Sequence, residues 1–480
     1  MLEKVFELIE ADREAMIQAT SRLLQFESVR EEQAGDDPLG PGLRQALGFV
    51  GELARKFGLG FREVGGVVGV AELGEGEESV GALLHLDVVP AGEGWDKPPF
   101  SGAVEGGEIW GRGAWDDKGP CVSVLFAAKA IAAANVPLRR KIKIIFGTDE
   151  ESGVWSDIER YLELEHPPTM SFVPDGSFGV TNAEKGMVNI ALTVGRGGLW
   201  GKPRARLVSL SAGERPNMVP DRAEALLQPL HEAEEYARYL AARVEAFAQS
   251  RPGAKIELKQ TAEGLHLCAE GKSAHGSTPH LGRSALLDLV DFLAAERLDD
   301  LPPANMARLL GELIGRDLNG ERLGIFHSHE FMGHTTVNIG TAQCTAQGAR
   351  AVANVRIPLG LTPEEVERRV RRALGAWQMR WHVEARAEIE GKSYEPLYVE
   401  PESELVRGLR AAFERVMGQP CELLAMGGTT FAKSMPNAVA FGPKMPEEPD
   451  LAHGPNERIA ADVLVRNAKI YAAAFLELVG

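Results

Sequence analysis

In the run LLHLDVVP, residues 83–90, a histidine and an aspartate interrupt apolar residues two positions apart. Residues i and i+2 of a strand point the same way, so His85 and Asp87 would stand together while Leu84 and Leu86 face the other side. Such a pair suits a satisfied core histidine, or an imidazole prepared for a metal or a proton transfer. Four more polar clusters recur along the chain: Asp116 and Asp117 in GRGAWDDKGP, Asp149, Glu150 and Glu151 in FGTDEESG, Asp175 in FVPDG, and His453 in LAHGPNE. Singly, each has an ordinary explanation as a helix cap, a solvated loop, a turn residue or a surface histidine. Jointly they supply two imidazoles and several carboxylates, a set that suits two zinc ions sharing a carboxylate in the manner of two-metal hydrolases.

These residues need elements to hold them. SVGALLHLD, KIKIIFGT and MSFVPD read as buried strands, and KGPCVSVLFAAKAIAAAN reads as a helix with proline near its start. Their alternation predicts an α/β layer with a mainly parallel, mixed sheet flanked by helices, whose sites lie at strand ends. From about residue 187 the texture changes. GMVNIALTV, ARLVSLSAG, KIELKQTAEGLHLCAEG, HTTVNIGTAQCTAQGARAVANVRIP and WHVEARAEIEG alternate like half-exposed antiparallel strands, with helical segments between them. The first texture returns after about residue 392. The predicted organisation is therefore a discontinuous α/β domain, residues 1–186 and 392–480, interrupted by an inserted α+β domain with an antiparallel sheet over 187–391, with ligands in the cleft between the two.

With 480 residues, more than one domain is expected; 44% apolar and 25% charged residues describe an ordinary globular protein. No run approaches the roughly 20 apolar residues of a membrane span, and MLEKVFELIEADREAM reads as one amphipathic helix rather than a signal peptide. A formal net charge of -17, from 52 basic and 69 acidic residues, argues against a nucleic-acid partner. Cys121, Cys268, Cys344 and Cys421 are scattered and form no CxxC pair, so a reducing, cytoplasmic setting is expected.

The ordered set HLDVVPAG, GWDKPPF, GRGAWDDKGP, TDEESG, PDG and AHGPNE resembles the signature of the dinuclear zinc metallopeptidases that include aminoacylases, carboxypeptidase G and peptidase V-type dipeptidases. The resemblance covers nearly the whole chain. It implies that His85 and Asp175 bind one metal, Glu151 and His453 the other, and Asp116 both, with zinc expected and cobalt or manganese as alternatives. Asp87 would orient the His85 ring, a service that metal-bound histidines commonly need. Glu150 would be the general base that takes a proton from an acidified water and passes it to the leaving amine.

In the inserted domain, GKSAHGSTP resembles the lid segment in which a histidine, here His275, stabilises the tetrahedral oxyanion; read alone it is an exposed turn histidine. ERPNMVPDRAEA and ANVRIP resemble peptidase V-type segments, which implies that Asn217 contacts substrate and Arg356 grips its terminal carboxylate; MGGTTFAK places Gly428 and Thr429 near that group. Aspartate at 175 resembles the aminopeptidase and dipeptidase branch, and the long insertion resembles members that act as monomers, a homodimer being the alternative. The expected activity is hydrolysis of small peptides, specifically of dipeptides with a free N-terminus. An N-acyl-amino-acid deacylase, aminoacylase or carboxypeptidase on the same fold and a catalytically inactive peptide-binding protein are the alternatives, and retention of Glu150 argues against the last.

Overall fold

Parallel pairing of apolar strands brings the candidate residues to one edge. In the computed structural model, which describes residues 1–30, 37–198 and 201–480, the strand Ser79–His85 is buried along its whole length. It pairs in parallel with Lys141–Gly147, in a register that sets His85 opposite Gly147, and on its other side with Met170–Val173. Ala438–Phe441 joins Met170–Val173, also in parallel. The sheet runs Gly60–Val64, Val68–Leu73, Lys141–Gly147, Ser79–His85, Met170–Val173, Ala438–Phe441, Val180–Glu184 and Leu397–Tyr398, with a ninth strand, Leu423–Met426, pairing off this path on Val180–Glu184. The pairs Gly60–Val64 with Val68–Leu73, Val68–Leu73 with Lys141–Gly147, and Ala438–Phe441 with Val180–Glu184 are antiparallel. Buried on both faces, the central strands need no alternation, which is why they read as continuous apolar runs.

The helices Lys118–Ala133 and Ala461–Val479 pack on the central strands and on each other. Phe172, Phe178 and Phe441 are fully buried against Tyr471 of the second helix, with Phe172 stacked on Tyr471 at 5.6 Å. The N-terminal segment departs from expectation: it forms two helices, Leu2–Ala11 and Arg13–Leu24, not one. Asp12 sits at the break, where its carboxylate accepts from Lys129 Nζ at 2.7 Å and ties the turn to the helix Lys118–Ala133. That long-range ion pair is invisible to helical periodicity.

The chain divides into two compact units, Met1–Ala183 with Leu397–Ala425 and Thr429–Gly480, and Glu184–Pro396 with Met426–Gly428. The junctions lie a few residues from 187 and 391. Residues 426–428 belong to the second unit because the Lys185 N–H donates to Met426 O at 2.9 Å and Arg356 Nη1 to Gly427 O at 3.4 Å.

The second unit is built on an antiparallel sheet in the order Lys255–Gln260, Leu265–Glu270, Arg222–Pro229, Ala205–Ala212, Thr336–Thr345, Gly348–Ile357, Gly186–Gly197 and Val383–Ile389. Val188, Ile190, Leu192 and Val194 alternate inward along one strand and meet Leu286, Leu289, Met306 and Leu310 in a separate core. The helix Pro363–Trp381 starts as its sequence signals, with proline in the first turn and Thr362 accepting from the Glu365 N–H at 3.2 Å. All four cysteines are free thiols. Among the described residues, no helix is long and apolar enough to cross a membrane.

Candidate metal centre and active site

Each of the parallel strands Ser79–His85, Lys141–Gly147 and Met170–Val173 ends just before, or on, a polar residue singled out above. His85 is only 1% exposed. Its Nδ1 lies 3.0 Å from the main-chain oxygen of Asp87. A carbonyl can only accept, so Nδ1 carries the hydrogen and the neutral ring presents its lone pair on Nε2. That Nε2 faces Asp116 Oδ1 at 2.8 Å, yet neither atom has a hydrogen-bond partner among the described residues. Two acceptors so close repel each other unless a proton or a cation lies between them.

The second oxygen of Asp116, Oδ2, lies 3.0 Å from His453 Nε2, which is itself 3.1 Å from Glu151 Oε1. The donor atoms of His85, Asp116 and Asp175 fall within 4.8 Å of one another, as do those of Asp116, Glu151 and His453. Ligands of one tetrahedral zinc keep about 3.3 Å between donor atoms. Each triad could therefore hold a divalent cation, and Asp116 would serve both with one oxygen apiece. Nitrogen and carboxylate donors in these numbers suit zinc, cobalt or manganese. Glu150 belongs to neither triad.

The electrostatics agree with a site built around positive charge. Burial, then the Asp116 charge, push the Asp175 carboxyl up to about 7 against the opposing pull of His85. Burial and the Asp175 charge raise Glu150 well above the usual carboxylate range, and burial with Asp116 raises Glu151. Burial works against a charge on His85, but the Asp116 and Asp87 carboxylates outweigh it and lift its pKa. His453, half exposed, is held up to about 11 chiefly by Asp116 and Glu151. Asp116 alone moves the other way: burial is outweighed by the two imidazoles, which hold it far below its ordinary value.

Several residues that the motifs contained without explaining hold these loops. Asp87 steadies His85 through its main-chain oxygen, while its carboxylate Oδ1 stays 3.5 Å from the ring and Oδ2 accepts from the Glu151 N–H at 2.9 Å. The main-chain oxygen of Asp87 thus holds the ring, and its side chain braces the Glu150–Glu151 turn. Asp149 takes the capping role that its two neighbours could also have filled: it accepts from Ser156 N at 2.9 Å and pairs with Arg30 at 2.9 Å. Asp117 makes no side-chain cap for the helix it precedes; its Oδ2 accepts from the His85 N–H at 3.2 Å. Gly147 has to be glycine, because a Cβ would come within 2.6 Å of the Phe431 ring, which packs edge-on to His85.

The strongest brace is a fully buried ion pair. Glu457 meets Arg112 at 2.7 Å and accepts from Gly113 N at 3.1 Å and Trp115 N at 2.9 Å. Arg112 also donates to Gly454 O, His453 O and Ala91 O at 3.1 to 3.2 Å and lies over the Trp95 ring. One pair thereby locks the Asp116 loop to the His453 loop and explains the tryptophan of GWDKPPF.

The remaining candidates divide between the two units. Thr429 belongs to the first unit; Asn217, His275, Arg356 and Gly428 belong to the second. There the Asn217 carbonyl accepts from the Gly276 N–H at 2.7 Å, next to His275. The Ser277 N–H donates to His275 Nδ1 at 3.2 Å, which leaves the hydrogen of the neutral ring on Nε2. Arg356 is buried, donates Nε to Asn354 Oδ1 at 3.0 Å, and has its pKa lowered by that burial to about 10.

Two outcomes follow from these contacts. Glu457→Gln leaves the Arg112 guanidinium buried beside a neutral amide, so urea denaturation should show a loss of about 3–5 kcal/mol, the usual result of breaking a buried pair; a loss below about 1 kcal/mol would show that the carbonyls alone satisfy Arg112. The second concerns pH. Asp175, raised from 3.8 to about 7, opposes folding in full above about 7, and the penalty shrinks steadily as pH falls from there toward 3.8. His453, raised from 6.5 to about 11, contributes stability that is complete below 6.5 and lost as pH rises toward 11. Both act in one direction, so chelated protein should melt higher at about pH 5.5 than at about pH 8.5, and the gain in Tm on adding zinc should widen over the same range because ligands bind deprotonated. A gain that shrinks with pH would contradict the ligand set.

Comparison with known proteins supplies the family. The chain is 34% identical over 472 residues to a putative dipeptidase of Bacillus subtilis, YtjP, with 97% of each chain covered. It is 33% identical over 478 residues to a putative dipeptidase of Staphylococcus aureus, with 98% of each covered. The crystal structure of human carnosine dipeptidase 1 superposes with a TM-score of 0.58 at 16% identity, covering 100% of this chain and 98% of that one, a likeness of fold. The model of peptidase family M20/M25/M40 matches residues 83–477, a span that contains every residue of the two triads, and the chain is a metallopeptidase of that family.

Proposed function

We propose that this peptidase is a dipeptidase that hydrolyses dipeptides with a free N-terminus and uses two zinc ions. The observation that carries the reading is the pair of triads joined through Asp116, with Glu150 beside both and part of neither. The relatives named as putative dipeptidases, similar over nearly their full length, support the choice of substrate class, as does aspartate at position 175.

His85 and Asp175 would hold one cation, Glu151 and His453 the other, and Asp116 both. Cations held there would supply Lewis acidity to an attacking water and to the scissile carbonyl. Glu150 accepts the proton of that water on a carboxylate oxygen and delivers it to the leaving nitrogen. His275 donates its Nε2 hydrogen to the oxyanion that develops as the carbonyl becomes tetrahedral. Arg356 binds the substrate's terminal carboxylate, with its guanidinium plane fixed by Asn354, and Asn217, Gly428 and Thr429 contact the rest of the peptide.

A panel of free dipeptides, N-acetylated dipeptides and longer peptides, followed by amino-acid release, separates the readings. Cleavage of free dipeptides with N-acetylated ones refused is expected. Preference for the acetylated set would make the protein a deacylase, release of C-terminal residues from longer peptides a carboxypeptidase, and binding without release a peptide-binding protein. In the same assay Glu150→Gln should abolish turnover with two metals still bound per chain, since the amide keeps the shape and loses the proton acceptor. Loss of the metals together with activity would instead make Glu150 structural.

A further inference from the structure

The strand Thr336–Thr345 carries a buried amide that the reaction above leaves without a role. Asn338 is 3% exposed. Its Nδ2 donates to two main-chain oxygens, Pro216 O at 2.9 Å and Met218 O at 2.8 Å, the carbonyls on either side of Asn217. Two positions along, Gly340 makes room for the same loop: a Cβ there would lie 2.1 Å from Pro216 O. One residue thus pulls the 216–218 loop onto the strand, and the other lets it come close.

The loop does not end the chain of contacts. The Asn217 carbonyl accepts from the Gly276 N–H at 2.7 Å, and the Val219 N–H donates to Ala274 O at 2.9 Å. Met218 and His275 face each other as an isolated antiparallel bridge. The residues before and after His275 are therefore bonded to the loop that Asn338 holds. Across the neighbouring strand Asn338 stands opposite Asn354, whose Oδ1 accepts from Arg356 Nε at 3.0 Å. The two strands form a common platform for the His275 loop and for Arg356.

We propose that Asn338 is a positioning residue for His275, fixing the height of the 216–218 loop and through it the place of the imidazole. This rests on the reading of His275 as the oxyanion donor. Only a side chain with two hydrogens on one atom at this length can hold both carbonyls. Aspartate would set a carboxylate against two oxygens, and alanine would leave both carbonyls without their donor. An oxyanion donor displaced by about 1 Å can cost on the order of 100-fold in rate, so a group that never touches substrate can still control kcat.

The test is a double-variant cycle on the metal-loaded protein, with the best substrate of the panel above. His275→Ala should lower kcat by about 10² to 10³ with little change in KM. Asn338→Ala should lower kcat by about 10- to 100-fold with metal content unchanged, and in the His275→Ala background it should cost nothing further in kcat. Asn338→Ser, which keeps one donor, should lie between wild type and Asn338→Ala, and it carries the cycle should the alanine variant not fold. A full multiplicative loss in the double variant, or a wild-type kcat in a folded Asn338 variant, overturns the inference while leaving the oxyanion reading intact. A wild-type kcat in His275→Ala overturns both.

Discussion

Like charge crowded into one buried strand edge is the constraint on which the rest of this structure depends. Asp116, Glu150, Glu151 and Asp175 share that edge, with Asp117 close behind. Two unit charges about 4 Å apart repel by about 4 kcal/mol at the effective dielectric of a protein site, so four carboxylates together would drive the loops apart or take up protons. The raised carboxyls of Glu150, Glu151 and Asp175 show the second response. Two divalent cations would bring four positive charges to the same place and turn the repulsion into ligation.

The frame is stiff where that repulsion is greatest. Parallel strands bring His85, the Glu150–Glu151 turn and Asp175 to one edge, because all three follow strands that run the same way. Braces then act on the main chain rather than on the ligating atoms: Asp87 on the Glu151 N–H, Asp117 on the His85 N–H, and Glu457 on Gly113 and Trp115. Side-chain donors thereby stay available for cations while the peptide units behind them are fixed. Such a division keeps a site in place before any metal arrives, and it limits the reorganisation needed when substrate binds.

How much of this was legible in the chain depends on sequence distance. Polar residues closing apolar runs announced His85, Glu151 and Asp175, because burial on both faces makes the strands themselves unmistakable, whereas Asp116 and His453 sit in turns and stood out only through the family motifs. The antiparallel second unit was equally plain in its alternation. Partners far apart in sequence were not legible. Arg112 and Glu457 are 345 positions apart, and their motifs showed both residues without showing that they pair. Asn338 reads as an ordinary polar residue in a strand, and only the carbonyls of Pro216 and Met218, 122 and 120 positions away, give it meaning. Asp87 was recognised as an orienter, but which of its oxygens touched the ring was a matter of backbone geometry.

The shared carboxylate is the centre of the account, and counting the cations it organises tests it most directly. Chelated protein titrated with zinc by isothermal calorimetry should bind two equivalents per chain and release protons as it does so, since raised carboxyls and an imidazolium must deprotonate to ligate. Asp116 would then be seen to serve both cations if Asp116→Asn, which leaves the other four ligands in place, weakens both binding events together. Wild-type protein that binds a single equivalent, or an Asp116→Asn variant that loses one event and keeps the other at full affinity, would contradict it.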